Sequence, residues 1–424
     1  MLIRFRFGNF RSFPEEQELS LVASSLQDLP GAVRKRDGVT DGLLTVAAIY
    51  GANASGKSNV LKALSFMEGA VRNSHRSWKP EGPIRLDRFL LDGASEQRPS
   101  TFEVDVLING VRYQYGFTLN AEAILGEWLY AYPSARKQTW FVRDNQSYKF
   151  GKQLLGENRA IENLTRRNSL FISAAAQNNH EQLEPIYRWF ADQLSFVNEN
   201  RDQLIEMTAE YCKEDTVKKV IGELLGAADL GIVGVEVTEE AMDSRIKEAV
   251  EAMARTLNEP SVQVSLPLTR TKAQLLHRGA LDAGVSFKQR NESTGTLAWF
   301  GLLGPAFSAL AAGGTLCVDE LDASLHPILA KQFVNIFNDP ARNPSHAQLI
   351  FNSHDTNLLD PSLLRRDQIW FVEKDQSGGS HLYALTDFKP RKNESLERGY
   401  LQGRYGAIPF VGELRPGTVD ESQG

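Results

Sequence analysis

One short segment constrains this chain more than any other. Gly51-Ala52-Asn53-Ala54-Ser55-Gly56-Lys57-Ser58 follows a continuous apolar run, Leu44 to Tyr50, and opens a stretch of helical periodicity from about Lys57 to Val71. An apolar run without alternation predicts a strand buried on both faces, as in a parallel sheet covered by helices. A small-residue turn leading from such a strand into a helix aims successive backbone N–H groups, and the positive end of the helix, at one point. The spacing G-x-x-x-x-G-K-S is that of a phosphate loop. Lys57 then faces the β- and γ-phosphates of a nucleotide, and the Ser58 hydroxyl is placed to ligate Mg²⁺.

The complementary half of such a site lies far downstream. Thr315-Leu316-Cys317-Val318 reads as an apolar strand ending in Asp319-Glu320. Asp319 is the candidate metal ligand, and Glu320 stands where a carboxylate can polarise an attacking water. A second apolar strand, Gln348 to Asn352, runs into Ser353-His354. A histidine at the carboxyl edge of an α/β sheet can hydrogen-bond a γ-phosphate. Between phosphate loop and acidic strand, Asn291-Glu292-Ser293-Thr294-Gly295-Thr296 opens another helix. Ser293 is there either a simple N-cap or, with Gly295, part of an anion site.

The rest of the chain sets the frame. Its 424 residues are 42% hydrophobic and 24% charged, which excludes a disordered or collagen-like chain. Cys212 and Cys317 are too far apart to suggest a disulfide framework or zinc spacing, which fits a reducing cytoplasm. The net charge of −6 gives no global attraction to nucleic acid, so such a contact has to be local. No apolar stretch reaches the roughly 18 residues of a membrane span, and the alternation Arg4, Phe5, Arg6, Phe7 is unlike a signal peptide.

Alternation predicts a half-buried strand over Leu2 to Phe7, and a second strand is read over Glu18 to Ala23. Asn109-Gly110 between Thr101–Leu107 and Arg112–Leu119 predicts a hairpin. From Lys152 to Ala228 the pattern is helical. Strand-like Gly231 to Val237, an amphipathic helix over Glu239 to Leu257 and short strands at Val262–Leu266 and Val285–Lys288 follow. The expected fold is α/β: a mixed sheet with a parallel core and an antiparallel β-meander, carrying a helical insertion. The expected division is an N-terminal lobe over 1–151, the insertion over 152–230 and a C-terminal lobe over 231–424, the lobes being parts of one sheet.

The order of these motifs resembles the head of ABC-type ATPases, in the soluble branch that includes SMC, RecF and OLD-related proteins. Glu292-Ser293-Thr294-Gly295-Thr296 keeps the serine and second glycine of that superfamily's signature. Asn53 suits the branch's Gly-x-Asn-x-Ser-Gly-Lys loop. Arg11 and Ser12, in Asn9-Phe10-Arg11-Ser12-Phe13, match its N-terminal motif, whose basic residue approaches the nucleotide. The run from Glu394 to Pro409 is similar to that of AAA/ABC-like ATPases from bacterial defence islands, of the PARIS, Septu or RloB-associated type. No glutamine loop is evident; Gln114 falls inside a predicted strand.

The resemblance implies ATP and Mg²⁺ as cofactors. It implies nucleotide contacts from Arg11, Ser12, Gly51, Asn53, Ala54, Ser55, Gly56, Lys57, Ser58, Asn59, Ser293, Gly295 and Asp322. Ser58 and Asp319 are the implied metal ligands, and Glu320, His354 and Lys57 the catalytic groups. It further implies a homodimer or larger oligomer, in which Ser293 of one chain meets Lys57 of another and Asp322 couples the sites across the seam. An effector encoded nearby (a nuclease or toxin) and a phage-encoded trigger are the implied partners. The tail after His354 has no clustered carboxylates, so the chain itself is not expected to be a nuclease. The alternative is a RecF-type DNA-binding ATPase of repair or recombination. Basic residues at 166–167 and 389–392 are either docking surface or ordinary solvated side chains.

Overall fold

The computed structural model describes residues 1–197, 200–228, 231–241, 269–279, 284–323, 325–392 and 394–408. In β1 (Leu2–Gly8) the side chains of Leu2, Phe5 and Phe7 are buried, while Arg4 and Arg6 are partly exposed. Arg6 donates to Glu18 on β2 (Gln17–Ser20) and to Glu103, both at 2.6 Å. These are its direct cross-strand partners, so the charged face sets the same register as the apolar one. After a small ribbon of β3 (Val33–Arg36) and β4 (Val39–Leu44) comes β5 (Val46–Tyr50), and α1 (Lys57–Asn73) leaves the phosphate loop.

β6 (Ser100–Ile108), β7 (Val111–Leu119), β8 (Ile124–Tyr132), β9 (Gln138–Asp144) and β10 (Ser147–Phe150) form an antiparallel meander. It joins β1 and β2 in a seven-stranded sheet of order β10-β9-β8-β7-β6-β1-β2. The Asn109-Gly110 hairpin lies at its β6–β7 turn, both residues having positive φ. Three short helices follow: α2 (Asn158–Leu164), α3 (Phe171–Gln177) and α4 (Glu184–Asp192).

Next comes β11 (Leu194–Val197), a four-residue strand inside the stretch expected to be a helical insertion. β11 pairs in parallel with β15 (Thr315–Val318), so 152–230 contributes to the central sheet and is not all insertion. Leu-Ser-Phe-Val is too short to show periodicity, and only the partner strand reveals it. Beyond it, α5 (Arg201–Tyr211) and α6 (Asp215–Ala227) lead to an antiparallel sheet of β12 (Ile232–Ala241), β13 (Thr269–Arg278) and β14 (Gly284–Phe287). Glu239 to Ala241 belong to β12, where a helix was expected. The remainder of that expected helix, the strand at 262–266 and the C-terminal residues from 409 lie outside the described residues.

The last part contains α7 (Thr294–Ala312), β15, α8 (Pro327–Asn338), β16 (Gln348–Asn352), β17 (Ile369–Lys374), β18 (Ser380–Ala384) and α9 (Leu396–Leu401). The central sheet has the order β11-β15-β16-β5-β17-β18, parallel except for β18. Parallel core and meander are thus two sheets, not two lobes of one. The buried Gln348 ties them: its amide donates to Leu2 O at 2.9 Å and Leu44 O at 3.0 Å, and its oxygen accepts from Leu2 N at 2.6 Å.

Both faces of the parallel sheet are covered, which explains its unalternating apolar strands. Ala47, Ile49, Cys317, Ile350 and Val372 share a core with α1, α3, α4 and the meander. Val46, Ala48, Tyr50, Val318, Phe351 and Phe371 share another with α5 to α9. By length and composition α7 is apolar enough to cross a membrane, yet 56% of its apolar window is buried in the fold. It contains Pro305, which cannot donate to the carbonyl of Gly301. The Thr208 hydroxyl of α5 donates to that carbonyl instead at 3.1 Å, and accepts from Gly304 N at 3.1 Å.

The meander holds α3 through a buried ion pair. Glu127 accepts from Phe171 N at 2.7 Å and Ile172 N at 3.1 Å, and lies 3.6 Å from Arg143. Arg143 donates in turn to Ser169 O at 2.6 Å and Asn145 O at 2.7 Å. Removing one member leaves the other charge buried and unpaired. A Glu127→Ala chain is therefore expected to lose about 3–5 kcal/mol of stability by urea unfolding.

Candidate functional site

The phosphate loop leaves β5 in the middle of the parallel sheet, at the carboxyl edge where open α/β sheets bind ligands. Two of its residues have backbone that only glycine adopts easily. Gly51 has φ +157° and Gly56 φ +113°; a Cβ on Gly51 would come within 2.3 Å of Val372 O, and one on Gly56 within 2.7 Å of Ser12 Oγ. Asn53 and Ala54 form the exposed crest. Lys57 is buried and donates to the carbonyls of Gly51 at 2.9 Å and Ala52 at 3.0 Å. Burial lowers its pKa to about 8, despite the opposing fields of Glu320, Asp322 and Asp319. The Ser55 hydroxyl is buried with no hydrogen-bond partner. A buried ammonium turned back on its own loop beside an orphaned hydroxyl is what a loop shaped for phosphate presents.

Ser12 and Asn59 brace this loop. The Asn59 amide donates to Ser12 Oγ at 2.9 Å, Ser380 N to Ser12 O at 2.7 Å, and Ser380 Oγ to Ser55 O at 2.6 Å. Arg11, expected at the nucleotide, has its guanidinium paired with Asp87 at 2.7 Å. Nothing local marked Ser380; β18 brings it in from the far side of the sheet.

Asp319 and Glu320 end β15, two strands from β5 with β16 between them. Glu320 is exposed with φ +54°, a left-handed conformation costing a non-glycine residue about 1 kcal/mol or more. The last residue of β16, Asn352, reaches both neighbours. Its amide donates to Asp319 Oδ1 and, at 3.4 Å, to Ser58 Oγ, while its oxygen accepts from Glu320 N. Ser58 and Asp319 therefore face each other across one amide group. Their oxygens are the hard donors that Mg²⁺ prefers, so the residues present fit the expected ion. A polar residue at the end of an apolar strand was the only sequence sign of Asn352.

His354 lies just beyond. Its backbone N–H donates to both Asp322 oxygens at 3.3 Å, and its imidazole is exposed toward the edge. Partial desolvation and then the Lys57 charge lower the imidazole pKa below its ordinary value. Val197, at the end of β11, and Asn200, the N-cap of α5, line a cavity of about 460 Å³ with Asp319. Gln114 instead accepts from Tyr132 within the meander.

Ser293 caps α7 conventionally, accepting from Thr296 N at 3.1 Å. Ala298 and Gly301 of α7 line a cavity of about 160 Å³ with Asp319 and Glu320. The helix start thus projects past the same edge of the sheet. Among the described residues, no hydrogen bond joins Ser293 or Gly295 to residues 51–58. The run after Glu394 packs beneath the site: Tyr400 meets the ring of Tyr50 at 6.1 Å, and Glu397 accepts from Thr356 at 3.0 Å, two residues past His354.

A parallel α/β sheet with a phosphate loop, an acidic strand end and a strand-end histidine on one edge defines a P-loop nucleotide-binding protein. The family described as "AAA domain, putative AbiEii toxin, Type IV TA system" matches residues 46–360, and the chain belongs to it. No curated protein matches. Similar solved structures include the SMC head domain from Thermotoga maritima (14% identity, 90% of this chain and 98% of that one, TM-score 0.41). Another is an Smc head bound to the C-winged helix domain of ScpA (13% identity, 94% and 99%, TM-score 0.44). A third is an Smc head with an extended coiled coil, bound to the C-terminal domain of ScpA and derived from Pyrococcus furiosus (11% identity, 95% and 98%, TM-score 0.38).

Lys57 yields a pH prediction. An anion beside it holds it protonated, whereas the free site releases that proton near pH 8. Binding must then take up a proton above pH 8, and affinity falls as pH rises, by up to about tenfold per unit. Calorimetry of ATP binding at pH 8.5 in buffers of different ionisation enthalpy checks this; a Lys57→Met chain should show no such uptake.

Proposed function

We propose that the chain hydrolyses ATP, that two copies at least enclose the nucleotides between them, and that the cycle holds and releases a separately encoded nuclease or toxin in defence against phage. The observation that carries the reading is the convergence of Ser58, next to the buried Lys57, with Asp319 and Glu320 around Asn352, while among the described residues no hydrogen bond joins the Ser293 helix start to the phosphate loop. One chain then carries two half-sites, each completed by a second copy. The family's toxin and type IV toxin–antitoxin description supports the link to an effector.

In this reading Lys57 leaves the Gly51 and Ala52 carbonyls for the phosphates, and the loop N–H groups take the remaining charge. Mg²⁺, held by Ser58 and Asp319, would neutralise the developing phosphate charge. Glu320 accepts the proton of the attacking water as its oxygen bonds the γ-phosphorus and the bond to ADP breaks. His354 donates to a γ-phosphate oxygen. Ser293 and the α7 N-terminus of the second copy meet the same phosphate, so cleavage loosens the pair.

Glu320→Gln keeps the size of the side chain and removes the base. In ATP it should lose 100-fold or more in turnover, the order of magnitude of general-base catalysis, and sediment as a dimer or larger species. Sedimentation identical with and without ATP would contradict the shared-site reading.

A further inference from the structure

Asn352 is fully buried, yet each polar atom of its side chain has a partner belonging to the candidate site. Its orientation is unambiguous, because a carboxylate can only accept and a backbone N–H can only donate. The nitrogen must face Asp319 and Ser58, and the oxygen must face the N–H of Glu320. The backbone adds a further clasp, since Leu321 N donates to Asn352 O at 3.1 Å.

This arrangement has two consequences. One oxygen of Asp319 is held by the amide, which leaves the other to face a cation without the carboxylate swinging between positions. The bond to Ser58 is long at 3.4 Å, so that hydroxyl can be given up to a cation at little loss. At the same time the bond from Glu320 N supports the left-handed turn at φ +54°, which no side-chain preference of glutamate would maintain.

We propose that Asn352 is the positioning residue of this site: it orients Asp319 for the divalent cation and fixes the turn carrying Glu320. The inference rests on the nucleotide reading and deepens it. Groups that orient metal ligands through hydrogen bonds typically contribute about 10–100-fold to metal affinity or activity.

The test uses the full chain with Asn352→Ala, and with Asn352→Leu, which keeps the branched shape and fills the space if alanine leaves a destabilising hole. Anisotropy of a fluorescent ATP analogue is followed while Mg²⁺ is titrated, and again in EDTA. In both variants the Mg²⁺ concentration for half-maximal effect should rise about 10–100-fold. Affinity in EDTA should stay within about twofold, since among the described residues no hydrogen bond joins Asn352 to Lys57 or to the N–H groups of the loop. A Mg²⁺ requirement unchanged in a folded variant would overturn the proposal. An equal loss of affinity with and without Mg²⁺ would also overturn it, making Asn352 a general support of the loop. Wild-type protein that binds no nucleotide in either condition would overturn the parent reading, and this one with it.

Discussion

The site depends on one strand. β16 lies in parallel register between β5 and β15, so the phosphate loop and the acidic strand end are held two strand spacings apart, about 10 Å. Nothing in the intervening chain could hold that distance, since the two strands are separated by most of the sequence. Parallel pairing does so because every residue of β16 is hydrogen-bonded within a sheet buried on both faces. Asn352, at the open end of that strand, converts backbone register into side-chain geometry.

Covering both faces required two unlike solutions. One face packs against helices that are themselves roofed by the meander; the other packs against helices together with β12 and β13. Buried polar groups join these layers at few points, each with its partners supplied. Gln348 bridges the sheets, Glu127 and Arg143 hold the start of α3, and Arg365 pairs with Asp367, which also accepts from Ser24 at 2.6 Å. Such groups add specificity of arrangement more than raw stability, because their pairing offsets a desolvation penalty of similar size. Tyr400 of the C-terminal run stacks on Phe371 and meets Tyr50 edge-on, so this segment buttresses the strand that ends in the phosphate loop.

Motifs were legible where the chemistry is local. A glycine-rich turn between an apolar strand and a helix carries its own geometry, as does an apolar strand ending in acids or histidine. Residues whose role comes from a distant partner were not legible. Arg11 matched a motif, and the motif gave no sign of its pairing with Asp87 from a later loop. Arg166 read as either docking surface or an ordinary solvated side chain, yet it donates to Ser74 O at 2.9 Å and His75 O at 2.8 Å beyond the end of α1. β11 carried no periodicity, and its identity as a central strand came from β15.

The amino-acid sequence by itself determined the phosphate loop, the strands that feed it, and the ionisable side chains at the sheet's edge. Those features follow from backbone sterics and apolar patterning within a few consecutive residues. Only the tertiary structure decided that parallel core and meander separate into two sheets, that Lys57 is desolvated, and that a single amide spans Ser58, Asp319 and Glu320. Burial and long-range hydrogen bonding depend on which surfaces meet, and that choice is made by the whole chain packing at once.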